Sequence, residues 1–104
     1  LKELILKYLI IVETNITNPN WITEYLEKVT PMVSLHGGRY LTRTSSVELL
    51  EGDNLPQFSL VAEFPSKEAA TTFYNSDEYK PFKLARKKGS VSKFLLVSIE
   101  GETT

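Results

Sequence analysis

Ile5-Leu6-Lys7-Tyr8-Leu9-Ile10-Ile11-Val12-Glu13-Thr14 is the stretch on which the fold turns. β-Branched and aromatic residues dominate it and no helical period runs through it, so it predicts a first strand. Alternation puts Leu6, Tyr8, Ile10 and Val12 on one face and Ile5, Leu9 and Ile11 on the other. Both faces are apolar. A strand of this kind belongs in the middle of a sheet that is covered on both sides.

Downstream, Asn18-Pro19 predicts a helix start, since Asn caps free amides and Pro suits the first helical position. Ile22, Leu26, Val29, Val33 and His36 form one helical stripe, with Trp21, Tyr25 and Met32 beside it. Pro31 falls inside this pattern and is expected to kink the helix or divide it in two. Gly37-Gly38 ends it. Arg39 to Thr44 reads as a second strand, Ser45-Ser46 as a bend or bulge, and Val47 to Leu50 as further strand or hairpin arm. Glu51-Gly52-Asp53-Asn54 is turn chemistry. Gln57 to Phe64 alternates as a third strand, with Phe58, Leu60, Ala62 and Phe64 on one face.

Ser66 is the expected cap of a second helix that buries Ala69, Ala70, Phe73 and Tyr74. Asn75-Ser76-Asp77 interrupts it, and a further helical stretch runs from Glu78 to Lys88. Ser92 to Glu100 is the expected last strand, and the tail from Gly101 onward is expected to fray.

The order β-α-β-β-α-β predicts an α+β, ferredoxin-like sandwich: an antiparallel four-stranded sheet, first and third strands central, both helices on one face. The other face would then be wet, yet the first strand is apolar there too. A second copy of the chain is the simplest cover, so a homodimer is expected. Side chains and loops of the same chain are the alternative cover.

Bulk properties narrow the function. The 104 residues suit one domain, with its core spanning about residues 5–100. With 41% hydrophobic and 24% charged residues the composition is that of a globular chain. Twelve basic against thirteen acidic residues leave a net charge of −1, which gives no electrostatic support for nucleic acid. No apolar run approaches the roughly 20 residues that span a bilayer, so no membrane partner is expected. The absence of cysteine removes disulfides, thiolate metal sites and a Cys nucleophile, and it fits a reducing, cytoplasmic setting. The first residue is Leu1 and not Met, which leads us to expect trimming upstream.

His36-Gly37-Gly38-Arg39-Tyr40-Leu41, followed by Glu51-Gly52, resembles a G-G-R-Y segment. Glu63-Phe64-Pro65-Ser66-Lys67-Glu68-Ala69-Ala70 with Phe73-Tyr74-Asn75-Ser76-Asp77-Glu78-Tyr79 resembles an E-F-P-S-x-E-A-A-x-x-F-Y-x-S-x-E-Y signature. Over residues 7–100 the chain thus resembles the family called domain of unknown function 1330, a branch of the dimeric α/β-barrel superfamily. Asn18 stands where many members have Asp, and both residues cap helices. The resemblance implies a ferredoxin-like subunit in a homodimeric barrel. It implies no reaction: the wider superfamily includes cofactor-independent monooxygenases, lactone isomerases and haem-dependent enzymes, and fold does not carry function across such a group.

Candidate site residues each have a second reading. Glu63, on the face of the third strand away from the helices, is a candidate catalytic base if burial raises its pKa; a rim carboxylate paired with Lys or Arg gives the same pattern. Arg39 and Arg43 fall on one face of the second strand by alternation and are candidate ligand-binding residues for an anion; a charged edge strand that resists aggregation explains them as well. Tyr74 and Tyr79 flank the Asn75-Ser76-Asp77 break, and Arg86 follows seven residues after Tyr79. These three are candidate ligand-binding residues, against core packing. His36, the one histidine, suits a helix C-terminus. No dedicated metal site and no cofactor are expected.

Gly37-Gly38 closes a helix instead of opening one, which removes phosphate-loop readings. An RNA-recognition motif shares the element order, but its stacking positions hold Ser59 and Val61 here. Two functions remain: a homodimeric binding module for a small organic ligand, or a cofactor-independent enzyme, monooxygenase- or isomerase-like, acting on a small anionic or carbonyl compound.

Overall fold

The computed structural model describes residues 5–100; the tail from Gly101 lies outside them. Strand β1 is Tyr8–Ile16. A 3-10 turn at Pro19–Trp21 leads into helix α1, Ile22–Leu35. Strands β2 (Arg39–Thr44) and β3 (Phe58–Phe64), helices α2 (Lys67–Tyr74) and α3 (Lys80–Gly89), and strand β4 (Ser90–Ser98) follow. The sheet order is β2-β3-β1-β4 with every pair antiparallel, so β1 and β3 are central as expected.

Local signals act as the sequence predicts at the caps. The Asn18 side chain accepts from the Asn20 amide, and the Ser66 hydroxyl accepts from the Ala69 amide. At the end of α1 the amides of Gly37 and Gly38 donate to the carbonyls of Ser34 and Val33, a paired closure that places Gly37 at φ +80°. Gly38 then lies under Phe64, where an added Cβ would come 2.6 Å from the ring.

Two expectations are corrected. α1 is not divided: Pro31 sits inside a continuous helix, on its exposed side with Glu27, so the unmatched carbonyl there is open to water. Val47 to Leu50 is not strand. Thr44 already pairs with Ser59, next to the start of β3, so a longer β2 would have no partner. Ser45 forms the expected bend, and β2 carries a further irregularity between Tyr40 and Thr42.

The core lies between the helices and one sheet face. Ile10 and Val12 of β1, Ala62 and Phe64 of β3, Val29 and Val33 of α1, Ala70 and Phe73 of α2, and Tyr79 are buried together. Burial of an aromatic or branched side chain of this kind stabilises by about 1.5–3 kcal/mol. Phe73 stacks on both Phe64 and Tyr79, which ties β3 to the junction of α2 and α3.

The opposite sheet face has rows that cross the strands. One runs Thr42, Val61, Ile11, Leu95; the next runs Arg39, Glu63, Leu9, Val97. Leu9, Ile11 and Val61 are half-buried, while Leu95 and Val97 are exposed. No helix of the described residues covers this apolar strip. Among the described residues, no helix is long and apolar enough to cross a membrane.

Candidate functional site: a cleft beside a buried arginine

α1 does not close against the sheet at its N-terminal end. A cleft of roughly 480 Å³ remains there, walled by Val12, Leu60, Phe58 and Phe94 from the strands and by Ile22, Tyr25 and Leu26 from the helix. Trp21 stands at its side, held by an indole N–H that donates to the Gly89 carbonyl at 3.0 Å. Gly89 has to be glycine here, because an added Cβ would overlap the indole.

Arg86, from α3, forms part of the cleft wall. It is only 5% exposed, and its guanidinium lies 4.0 Å from the centroid of the Phe94 ring. Burial pushes its pKa down, but the phenols of Tyr79, Tyr25 and Tyr74 around it outweigh that and hold it above the ordinary arginine value. The group is therefore charged. Among the described residues no carboxylate pairs with it, and its Nε and Nη2 have no hydrogen-bond partner. Leaving a buried donor unmatched costs about 1–3 kcal/mol, and more when it is charged. A second cleft of roughly 420 Å³ is lined by Arg86 together with Tyr74, Lys87, Ser90 and Ser92.

Two hydroxyl systems border Arg86. The Tyr25 and Tyr79 hydroxyls are 2.6 Å apart. Burial, and then the neighbouring Tyr79, hold the Tyr25 phenol far above its usual range, so Tyr25 stays protonated. One phenolic proton is used within the pair and the other remains to be donated onward. On the strand side the Ser90 hydroxyl donates to the Arg86 carbonyl at 2.7 Å. Ser90 has one proton, so Ser92, at 2.7 Å, must donate to it, and Thr14, at 2.5 Å, must donate to Ser92. Thr14 therefore offers the cleft only lone pairs.

The fold brings together some of the expected residues and separates others. Arg86, Tyr79 and Tyr74 meet. Tyr74 is sandwiched, with Lys83 4.2 Å over its ring and Phe94 against it, and it lies toward the second cleft. Arg43 rims the first cleft, donates to the Thr30 hydroxyl and stacks 4.2 Å over Tyr40. Burial raises the Tyr40 phenol pKa, and Arg43 partly counters this. Arg39 and Glu63 lie on the opposite sheet face, where they form a 3.0 Å ion pair, the rim arrangement that was the second reading of Glu63. The expectation that Arg39 and Arg43 share a face is wrong. Arg39 pairs with Glu63 and Arg43 with Leu60, three residues earlier, because the bulge inserts one residue and inverts the alternation. Sequence reasoning missed Thr14, Trp21, Tyr25 and Phe94 as neighbours of the first cleft, and Ser90 and Ser92 as neighbours of the second. Tyr25 was legible only as a neighbour of the apolar stripe of α1. His36 does serve a helix end: it caps α1, with Nδ1 2.9 Å from the Met32 carbonyl.

Four antiparallel strands, helices on one face and a cleft between them define an α+β protein of the ferredoxin-like class. Within it, the chain belongs to the family described as domain of unknown function (DUF1330), whose model matches residues 7–99. No curated protein matches it. The chain is similar to RPA0582, a protein of unknown function from Rhodopseudomonas palustris, with TM-score 0.75, 15% identity, and coverage of 93% of this chain and 85% of that one. It is similar to SnoaB, a cofactor-independent oxygenase from Streptomyces nogalater, with TM-score 0.58, 12% identity, and coverage of 94% and 95%. A hypothetical Arabidopsis thaliana protein gives TM-score 0.62, 14% identity, and coverage of 98% and 92%. At these identities the likeness establishes the fold alone.

Proposed function

We propose that this protein is a homodimeric module that binds a small organic molecule in the cleft between α1 and the sheet. The cleft carries the reading: roughly 480 Å³, mostly apolar walls, and a few polar groups at one end. That composition is typical of small-molecule sites. The strip of Leu9, Ile11, Val61, Leu95 and Val97 supports the dimer, since the same patch on a second copy is self-complementary about a two-fold axis. A cysteine-free sequence goes with a cytoplasmic setting.

A second reading is a cofactor-independent enzyme acting on a small anionic or carbonyl compound. The grouping of Arg86 with the Tyr25 and Tyr79 hydroxyls beside the cleft favours it, because such donors stabilise developing negative charge. The likeness to SnoaB supplies a precedent for the chemistry in a similar fold, and no more than that.

Trp21 is the one tryptophan of the chain and borders the cleft. Screening small aromatic and carbonyl compounds against its indole N–H resonance tests the first reading. Binders are expected to shift that resonance, and Leu60→Phe, which narrows the cleft, is expected to weaken them. Binders indifferent to Leu60→Phe would place the ligand elsewhere. Turnover of a bound compound under air without added cofactor would decide for the enzyme.

A further inference from the structure

We infer that the ligand of this cleft is an apolar monocarboxylate, held by Arg86 through a side-on pair of hydrogen bonds; this rests on the cleft being the binding site. The two nitrogens of Arg86 without partners, Nε and Nη2, are closed to solvent in the ligand-free chain, so the side chain turns this edge toward the cleft it walls as the ligand enters. Their N–H bonds lie parallel along one edge of the planar guanidinium. That edge matches the two oxygens of a carboxylate, which accept both bonds at once. The face of the guanidinium is already occupied by Phe94 at 4.0 Å. What remains unmatched is therefore a planar, two-donor, singly charged fork.

Charge and wall chemistry limit the class further. The described residues place no carboxylate against Arg86, whose charge is buried at 5% exposure. A neutral carbonyl compound would leave the charge uncompensated. A phosphate-like dianion would need several further donors. The cleft offers instead the side chains of Val12, Ile22, Leu60 and Phe58, which suit an aliphatic or aromatic body. Thr14 has its proton engaged by Ser92 and presents only lone pairs, so the acid group is not drawn to that side. The phenolic proton left over from the Tyr25–Tyr79 pair is available to a carboxylate oxygen at the Arg86 end.

Phenylacetate and its neutral isostere phenylacetamide test this, titrated at pH 7 against the Trp21 indole and Arg86 Nε–H resonances. The acid is expected to bind at least about tenfold more tightly, the order of a charge-assisted bidentate pair, and it alone is expected to move Arg86 Nε–H downfield. In Arg86→Met the preference is expected to collapse to less than about threefold. Equal binding of acid and amide to the wild type would overturn the carboxylate assignment and leave the cleft reading intact. If neither compound moves Trp21, the cleft reading falls and the assignment with it. Should Arg86→Met fail to fold, the acid-to-amide ratio and the Nε–H shift of the wild type decide alone.

Discussion

The guanidinium of Arg86 stacks on the ring of Phe94 at 4.0 Å while two of its nitrogens stay unmatched. An ion kept in such a place is more costly than a well-packed apolar side chain of similar length. Arg86→Met is accordingly expected to be at least as stable as the wild type, and by up to about 2 kcal/mol more stable, since Met retains favourable sulfur contact with Phe94. Urea denaturation with an unchanged slope measures it. A loss above about 2 kcal/mol would mean that the guanidinium holds the fold together, and that its retention has a structural cause.

Stability should fall in strong base. Tyr25 in the folded chain titrates far above the ordinary 10.0, because burial first and Tyr79 second disfavour its phenolate. Above pH 10 the unfolded chain releases this proton and the folded chain keeps it, so the folded state binds more protons and stability declines as pH rises. The contribution of Tyr25 is complete below pH 10 and is lost above it at about 1.4 kcal/mol per pH unit. Tyr40, also raised chiefly by burial, adds in the same direction. Denaturation curves from pH 8 to about 11 should show the decline, and Tyr25→Phe should flatten it. A decline that Tyr25→Phe leaves untouched would contradict the assignment.

The apolar sheet face should be the dimer interface. Ile11 is central in the row Val61, Ile11, Leu95 and is only half-buried in the single chain. Ile11→Lys therefore leaves the core side intact and puts two charges at the centre of a two-fold contact. Light scattering at micromolar concentration is expected to give twice 11.8 kDa for the wild type and 11.8 kDa for Ile11→Lys. A monomeric wild type would remove the dimer, since barrel-forming interfaces are large and apolar.

Glu63→Gln should have little effect on the cleft. Glu63 pairs with Arg39 at 3.0 Å on the far side of the sheet, and Arg39 is 71% exposed. The Glu63 side chain is 16% exposed, but with its partner open to water the pair stabilises by about 1 kcal/mol. The expected result is a change in unfolding free energy no larger than that and unaltered phenylacetate binding. A large loss of binding or turnover would restore Glu63 to the catalytic role first considered for it.

Much of this architecture was legible in the chain because it rests on local rules. Alternation sorted the faces of β1 and β3, Ser66 and Asn18 announced their helices, and Gly37-Gly38 closed α1. The order of elements then left one sheet topology with right-handed crossovers. The apolar pattern of Leu9 and Ile11 already marked the second face of the sheet.

The site depended on relations that no local rule contains. One extra residue between Tyr40 and Thr42 inverted the parity of β2 and parted Arg39 from Arg43. Thr14, Tyr25, Tyr79, Arg86 and Ser92 come from separate elements and meet only when α1 and α3 dock on the sheet. The sequence thus determined which elements form and in what order, since propensity, period and capping act over a few residues. Tertiary packing decided which edge of Arg86 stays without a partner, since that depends on how side chains distant in the chain exclude water together.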